Sequence, residues 1–418
     1  MQGKTVPCPS CKVAFKIRLA EATPPPTARP IPPAGPLTAR RIAATPKAPA
    51  PLAPKPMQPP ATRKASQTAR PPLSAFSNGR PRLLYLVFAV AFVPLIFQTL
   101  GSKSDVEERI EHMVSANPAL QKELEDSPID SEDDLFSHFP DGRIEGAHLS
   151  HFSHTHWAYA GVATAIFFAA VWFLFERGTA TIAQWLIVLA VTSTVGVISL
   201  LIFQWIAAVT QGVWLTGRSI IVLLFYIVKF IGFSYSVADN PEYGFWASFF
   251  GFTFGVGLCE ELTKALPVVV YLQSDKKLDW RAACLLGLAS GVGFGVAEGI
   301  IYAGQHYNGV AGVDIYFTRF ISCVALHATW TASVALMAVQ NRDGLETEDA
   351  TDWLKSLLLI VAVPAILHGL YDTLLKRDMG GLALLIALAS FAWLAFMIER
   401  ARSSDTEYTP RRAMRADV

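Results

Sequence analysis

Apolar residues gather along this chain in long blocks. The first covers 83–100, and others run from about 157 to 175, 182 to 208, 245 to 272, 281 to 304, 315 to 339, 353 to 375 and 381 to 398. At about 1.5 Å per helical residue each block can cross roughly 30 Å of hydrocarbon. The pattern therefore predicts spanning helices. Block 213–236 differs, because Arg218 and Lys229 leave only Ser219 to Val228 uninterrupted. If it spanned, Lys276, Lys277 and Arg281 would face outside together with Arg400, Arg402, Arg411 and Arg412, against the tendency of Lys and Arg to stay cytoplasmic. It reads instead as an interfacial or re-entrant helix, which puts both termini in the cytoplasm. The predicted fold class is all-α: a polytopic membrane helix bundle of about eight transmembrane helices plus one interfacial or re-entrant helix.

Composition agrees with a membrane protein, since 52% of the 418 residues are hydrophobic and only 17% are charged. A net charge of +1 gives no reason to expect a nucleic-acid partner. The sorting of charge along the chain is more informative. Residues 1–21 hold Cys8-Pro9-Ser10-Cys11, which looks like half of a zinc ribbon. No second Cys pair follows nearby, so Cys8 and Cys11 make at most a separate, weak metal site. Residues 22–82 are a Pro- and Ala-rich segment of the kind that stays disordered. After the helix at 83–100, residues 101–156 carry many carboxylates and few Lys or Arg, as an extracytoplasmic loop would, and are expected to be helical in part. His148, His151, His154 and His156 crowd its end, where they could gather a metal or sense pH. The membrane domain is 157–400, with a core at 245–375, followed by a basic cytoplasmic tail at 401–418. Cys259, Cys284 and Cys323 lie in apolar runs, where a thiol behaves as a small hydrophobe.

Candidate chemistry sits inside the apolar blocks. Glu260, Glu261 and Lys264 lie near the middle of one block, with Glu260 and Lys264 sharing a helical face. The next block carries Glu298, the following one Arg319 and His327, and the last of the four His368 with Asp372 one turn on. At about 3 kcal/mol per charged residue, six such charges facing lipid would cost roughly 18 kcal/mol. They must face one another or water, and four consecutive helices that each supply polar groups describe one buried site. Gly287, Gly291, Gly295 and Gly299, like Gly251 and Gly255, form small-residue stripes that let helices approach closely.

Glu-Glu-x-x-Lys at Glu260 to Lys264, Phe-x-x-x-Glu at Phe294 and Glu298, and His-x-x-x-Asp at His368 and Asp372 resemble the three signature motifs of the PrsW family of bacterial intramembrane proteases, related to CAAX prenyl proteases and bacteriocin-processing enzymes. His327, in Leu326-His327-Ala328-Thr329-Trp330-Thr331, resembles the further histidine that many members carry. The resemblance covers about 245–375. It implies an endopeptidase of the bacterial inner (cytoplasmic) membrane, often described as a metalloprotease, that cuts membrane-associated proteins such as anti-sigma factors.

Peptide hydrolysis needs the same residue types: an activated water, from a Glu–His pair or a metal, and donors for the developing oxyanion. Glu260 is the candidate general base. His327, His368 and Glu298 are candidate ligands for zinc, Asp372 can fix the tautomer of His368, and Lys264 can neutralise the Glu pair or hold Glu261. The expected partners are a membrane protein substrate and the lipid bilayer. Two other readings use these residues. Buried carboxylates and histidines also build proton relays in transporters, and a site without activity could serve as a membrane scaffold.

Overall fold

The computed structural model describes residues 81–416, apart from 101–105, 128, 176–177, 241 and 275–277, together with two three-residue strands, Thr5–Pro7 and Ala14–Lys16. Cys8, Cys11 and nearly all of the Pro/Ala-rich segment fall outside the described residues. From residue 81 onward the described chain is helical. Helix α1 (81–100) is interrupted at Phe92, two residues before Pro94, whose ring nitrogen has no hydrogen to donate. Three short helices follow, α2 (Val106–Ala116), α3 (Pro118–Asp126) and α4 (Glu132–His138). The long helices are α5 (His156–Leu174), α6 (Ile182–Thr210), α7 (Ile220–Asp239), α8 (245–274), α9 (Trp280–Tyr307), α10 (Val313–Gln340), α11 (Ala350–Lys376) and α12 (Gly380–Ala416). Seven of these are long and apolar enough to cross a bilayer. Helix α8 is equally long but carries the Glu260–Lys264 charges.

Helices α9 and α10 form the centre. In their most apolar windows 78% and 83% of residues are buried, against 22% and 17% in α6 and α7. The predicted glycine stripe lies between them. A methyl at Gly287 would come within 2.7 Å of the Thr331 carbonyl, and one at Gly291 would overlap the His327 carbonyl, so α9 and α10 touch backbone to backbone. Gly251 and Gly255 let α8 pack on α7 in the same way, against Ala238 and Tyr235.

Contacts between helix ends define two faces. Arg377, beyond α11, donates to the Tyr243 carbonyl before α8, and Gly380 lies against Thr99 of α1. On the opposite face the Asp279 amide donates to Thr179 Oγ1, and Arg342 donates to the Leu278 carbonyl. Tyr85 of α1 donates to Glu399 of α12, so the beginning of α1 and the later part of α12 share that opposite face.

The expected roles of 182–208 and 213–236 are exchanged. Helix α7 packs lengthwise and antiparallel to α8, ending at Asp239, which pairs with Lys376, so it crosses from one face to the other. Helix α6 lies diagonally. Its successive turns meet α5 through Trp185 and Phe168, α9 through Thr192 and Ser290, α8 through Gly196 and Thr263, and α7 through Gln204 and Tyr235. The chain then returns along 211–219 to the face where α6 began, which makes α6 the re-entrant element. The misleading sign was Lys229. Its ammonium is taken up by the carbonyls of Gln211 and Val213, at 3.0 and 2.7 Å, and by the Trp214 ring, so it crosses the apolar layer already paired.

The acidic loop is a folded cap. Helices α2–α4 and the following turn close over Leu120, Phe136, Phe139, Ile144 and Ala147. The cap is joined to the α9–α10 connection by main-chain hydrogen bonds from Ile144 to Gly309, from Gly309 to Leu149 and from His148 to Ala311. Its histidines are spread over separate contacts. His148 bonds Tyr159, His151 bonds Asp133 while stacking on Phe136, and the buried His156 meets Asn308. They do not converge on one metal site.

Candidate active site

Each residue that the sequence singles out in the membrane domain arrives at one place. Glu260, Glu261 and Lys264 follow a π-helical turn at Phe252–Gly257 of α8. Glu298 precedes another at Ala303–Tyr307 of α9, and His327 follows a third at Thr318–Cys323 of α10. A π turn inserts an extra residue and re-aims the side chains beyond it, which is why such turns recur at functional sites. Close approach of α8 and α11, permitted by Gly257 against the Ala365 carbonyl and Gly369 against Thr253, brings His368 and Asp372 to the glutamates.

The side chains form a chain of alternating sign. Lys264 Nζ lies 2.6 Å from Glu261 Oε1, 3.7 Å from Glu260 Oε2 and 2.9 Å from His327 Nδ1. An ammonium only donates, so His327 Nδ1 accepts and its Nε2 carries the proton, 2.7 Å from Glu298 Oε2. Arg319 approaches Glu298 Oε1 at 2.7 Å with its guanidinium over the Tyr302 ring. At the other end His368 Nδ1 donates to Glu261 Oε1 at 3.0 Å. His368 Nε2 faces Asp372 Oδ2, 3.3 Å away, and Glu260 Oε2, 3.7 Å away. Glu261, rather than Asp372, holds the Nδ1 proton. Trp330 stacks on His368 at 4.3 Å, and Phe294 lies under Lys264 at 4.6 Å.

Side-chain exposure has a direction. It is 0% at Glu261 and Lys264, 12% at Arg319, 17% at Glu298 and 23% at Asp372. The exposed members lie toward the cap-side ends of their helices, so the mouth of the site faces the cap.

A metal fits this donor set. One ligand atom each from Glu260, His327 and His368 lies within 4.8 Å of the others, and no other such group occurs among the described residues. Two nitrogens and a carboxylate oxygen, with a position left for water, suit a catalytic zinc once a His327 nitrogen gives up its contact with Lys264 or Glu298. Glu260 Oε2 and Glu298 Oε2 are buried without a hydrogen bond, the Glu298 contacts being out of line with the facing N–H groups. Four carboxylates (Glu260, Glu261, Glu298 and Asp372) against two fixed cations (Lys264 and Arg319) also leave two negative charges that a divalent ion would balance. The cluster uses Glu260 where the sequence reading placed Glu298, which Arg319 and His327 occupy. Sequence reasoning gave no site role to Arg319 or Trp330. The first was visible as an intramembrane charge and the second as an aromatic one helical turn after His327.

Residues 203–398 match the model of a family described as PrsW family intramembrane metalloprotease, a stretch that takes in every site residue from Glu260 to Asp372. No curated protein and no solved structure matches the chain. Across residues 203–398, then, with its motifs converged on one buried cluster, the chain is similar to the PrsW family of intramembrane metalloproteases.

Proposed function

We propose that the cluster on α8–α11 hydrolyses peptide bonds of membrane proteins in a bacterial inner membrane, with both chain termini cytoplasmic and the cap outside. The observation that carries this is Glu260 Oε2, a buried carboxylate oxygen without a hydrogen bond, 3.7 Å from Nε2 of His368. Glu260, His327 and His368 are the residues that would hold zinc, which when bound supplies Lewis acidity and a water of lowered pKa. Glu261 fixes the His368 tautomer, and Lys264 fixes Glu261. Glu298, nearer the mouth, would take a proton from the attacking water and pass it to the leaving amine. Arg319, paired with Glu298 through Nη2 and with Nε buried without a hydrogen bond, can donate to the substrate carbonyl as that oxygen gains charge.

One observation favours a second reading. Both nitrogens of His327 already have neighbours, Lys264 and Glu298. In a site without metal, Glu260 would act as the base on water with His368 beside it, as the residue types alone suggest.

The substrate is sought by comparing protein termini in membranes from cells making the wild type or Glu260→Gln. A new terminus within or beside an apolar segment, present only with the wild type, identifies it. If that protein restrains a sigma factor, the anti-sigma-factor reading stands. Identical sets of termini would remove the protease assignment from this cluster.

A further inference from the structure

Trp330 touches both histidines of the cluster and is itself held from outside it. Three residues after His327, it shares a face of α10 with that residue. Its indole meets the His327 ring edge-on, with centroids 5.6 Å apart and planes at 87°, and lies on the His368 ring of α11 at 4.3 Å and only 18°, in a parallel stack. The indole N–H is used elsewhere. Nε1 donates to Ser390 Oγ of α12 at 3.0 Å, and that hydroxyl spends its own proton on the Ile386 carbonyl at 2.8 Å, which keeps its lone pairs for the indole. Trp330 is 2% exposed and Ser390 0%, so turning the ring would strand a buried donor out of reach of water. Helix α12 thus acts on the site although it carries none of the clustered charges.

We propose, on the reading that Glu260, His327 and His368 hold a metal, that Trp330 is a positioning residue which, anchored by Ser390, fixes the plane of the His368 ring. Glu261 holds that ring at one atom, Nδ1, which donates to its Oε1 at 3.0 Å. A ring held at one atom can still tilt, and a tilt moves Nε2 away from Glu260. The flat indole removes that freedom and keeps His368 nearly perpendicular to His327, with planes at 81° and centroids 5.5 Å apart. Groups behind metal ligands set ligand orientation in this way, and their loss weakens metal affinity by about 10–100-fold. Trp330 also packs among Leu326, Tyr371 and Leu374, and a side chain that only filled that space would make a different prediction. Cutting it down would lower stability and leave the metal affinity of the folded protein unchanged.

The test is zinc affinity, which needs no substrate. Full-length protein in detergent, with Cys8 and Cys11 replaced by Ser, is stripped of metal and titrated with zinc against a chelating dye, below the unfolding temperature of every variant. Trp330→Leu, which has bulk but no flat face, should bind zinc about tenfold more weakly or worse. Trp330→Phe keeps a face and loses the N–H, while Ser390→Ala keeps the indole and loses its anchor, so each should weaken binding about threefold. Combined, they should weaken it no further than one alone, because both break the same bond. Wild-type affinity in Trp330→Leu, or a loss in Trp330→Phe as deep as in Trp330→Leu, would overturn the proposal. If Trp330→Leu does not fold, wild-type affinity in both Trp330→Phe and Ser390→Ala would overturn it. So would a wild type that binds no zinc, or zinc binding that is indifferent to Glu260→Gln. Failure of the protease reading shows separately, as unchanged termini with Glu260→Gln while zinc affinity still follows Trp330.

Discussion

Lys264 joins three site groups and is fully buried, so its loss would leave Glu261 ionised without a cation. Lys264→Met should destabilise the membrane domain by roughly 3–5 kcal/mol, as breaking a buried pair does. The measurement is the thermal unfolding midpoint in detergent, and an unchanged midpoint would contradict the charge chain. Metal content tests a different group of residues. Protein beginning near Arg80, which lacks Cys8 and Cys11, should bind about one zinc per chain. His368→Ala and Glu260→Gln should each weaken that binding, and Glu261→Gln should do so less, because it holds a ligand without being one. Full cleavage in verified metal-free protein would leave the Glu260–His368 reading. At this scale the sequence was legible wherever burial was costly, because charges in apolar blocks have no other explanation. Which carboxylate stands with the histidines was not legible. Glu260 and Glu298 differ in that respect only through Arg319, whose reach across to α9 depends on packing.

Helix positions rest on glycines. Gly291→Val should push α10 from α9 at the His327 carbonyl, lowering stability by at least about 1–3 kcal/mol through overpacking and moving His327 off Glu298. Gly161→Ala is the control. Nothing lies within 4 Å of its new methyl, and alanine favours helix by about 0.5–1 kcal/mol. Equal effects of the two changes on unfolding and cleavage would contradict the backbone contact. The spacing of four along α9 made this interface readable in advance. The diagonal course of α6 was not, because its 182–208 block is more uniformly apolar than the segment that crosses, and hydropathy carries no direction. The partners of Lys229 come from carbonyls at the end of α6, which only the fold brings near.

The whole molecule has two faces, and the account assigns them. Cysteines at Glu125 in the cap should react with an impermeant reagent on intact cells, whereas those at Arg218 and Glu346 should react only after permeabilisation. Labelling of Arg218→Cys from outside would mean that α6 crosses after all, and labelling of Glu346→Cys but not Glu125→Cys would invert the protein. Positive-inside reasoning predicts the same sidedness from Arg and Lys alone, whichever of α6 and α7 turns back. The cap was expected as an acidic loop. Its small core of Leu120, Phe136, Phe139 and Ile144 is too scattered in sequence to announce itself.

The central claim is that this buried cluster cuts peptide bonds, and the direct measurement is cleavage by purified full-length protein in lipid bilayers. The substrate is the membrane protein identified from termini that depend on the intact chain. Wild type should produce that terminus. Glu260→Gln, inserted and unfolding at the same temperature, should not. Production of the terminus by Glu260→Gln at the wild-type rate would contradict the account.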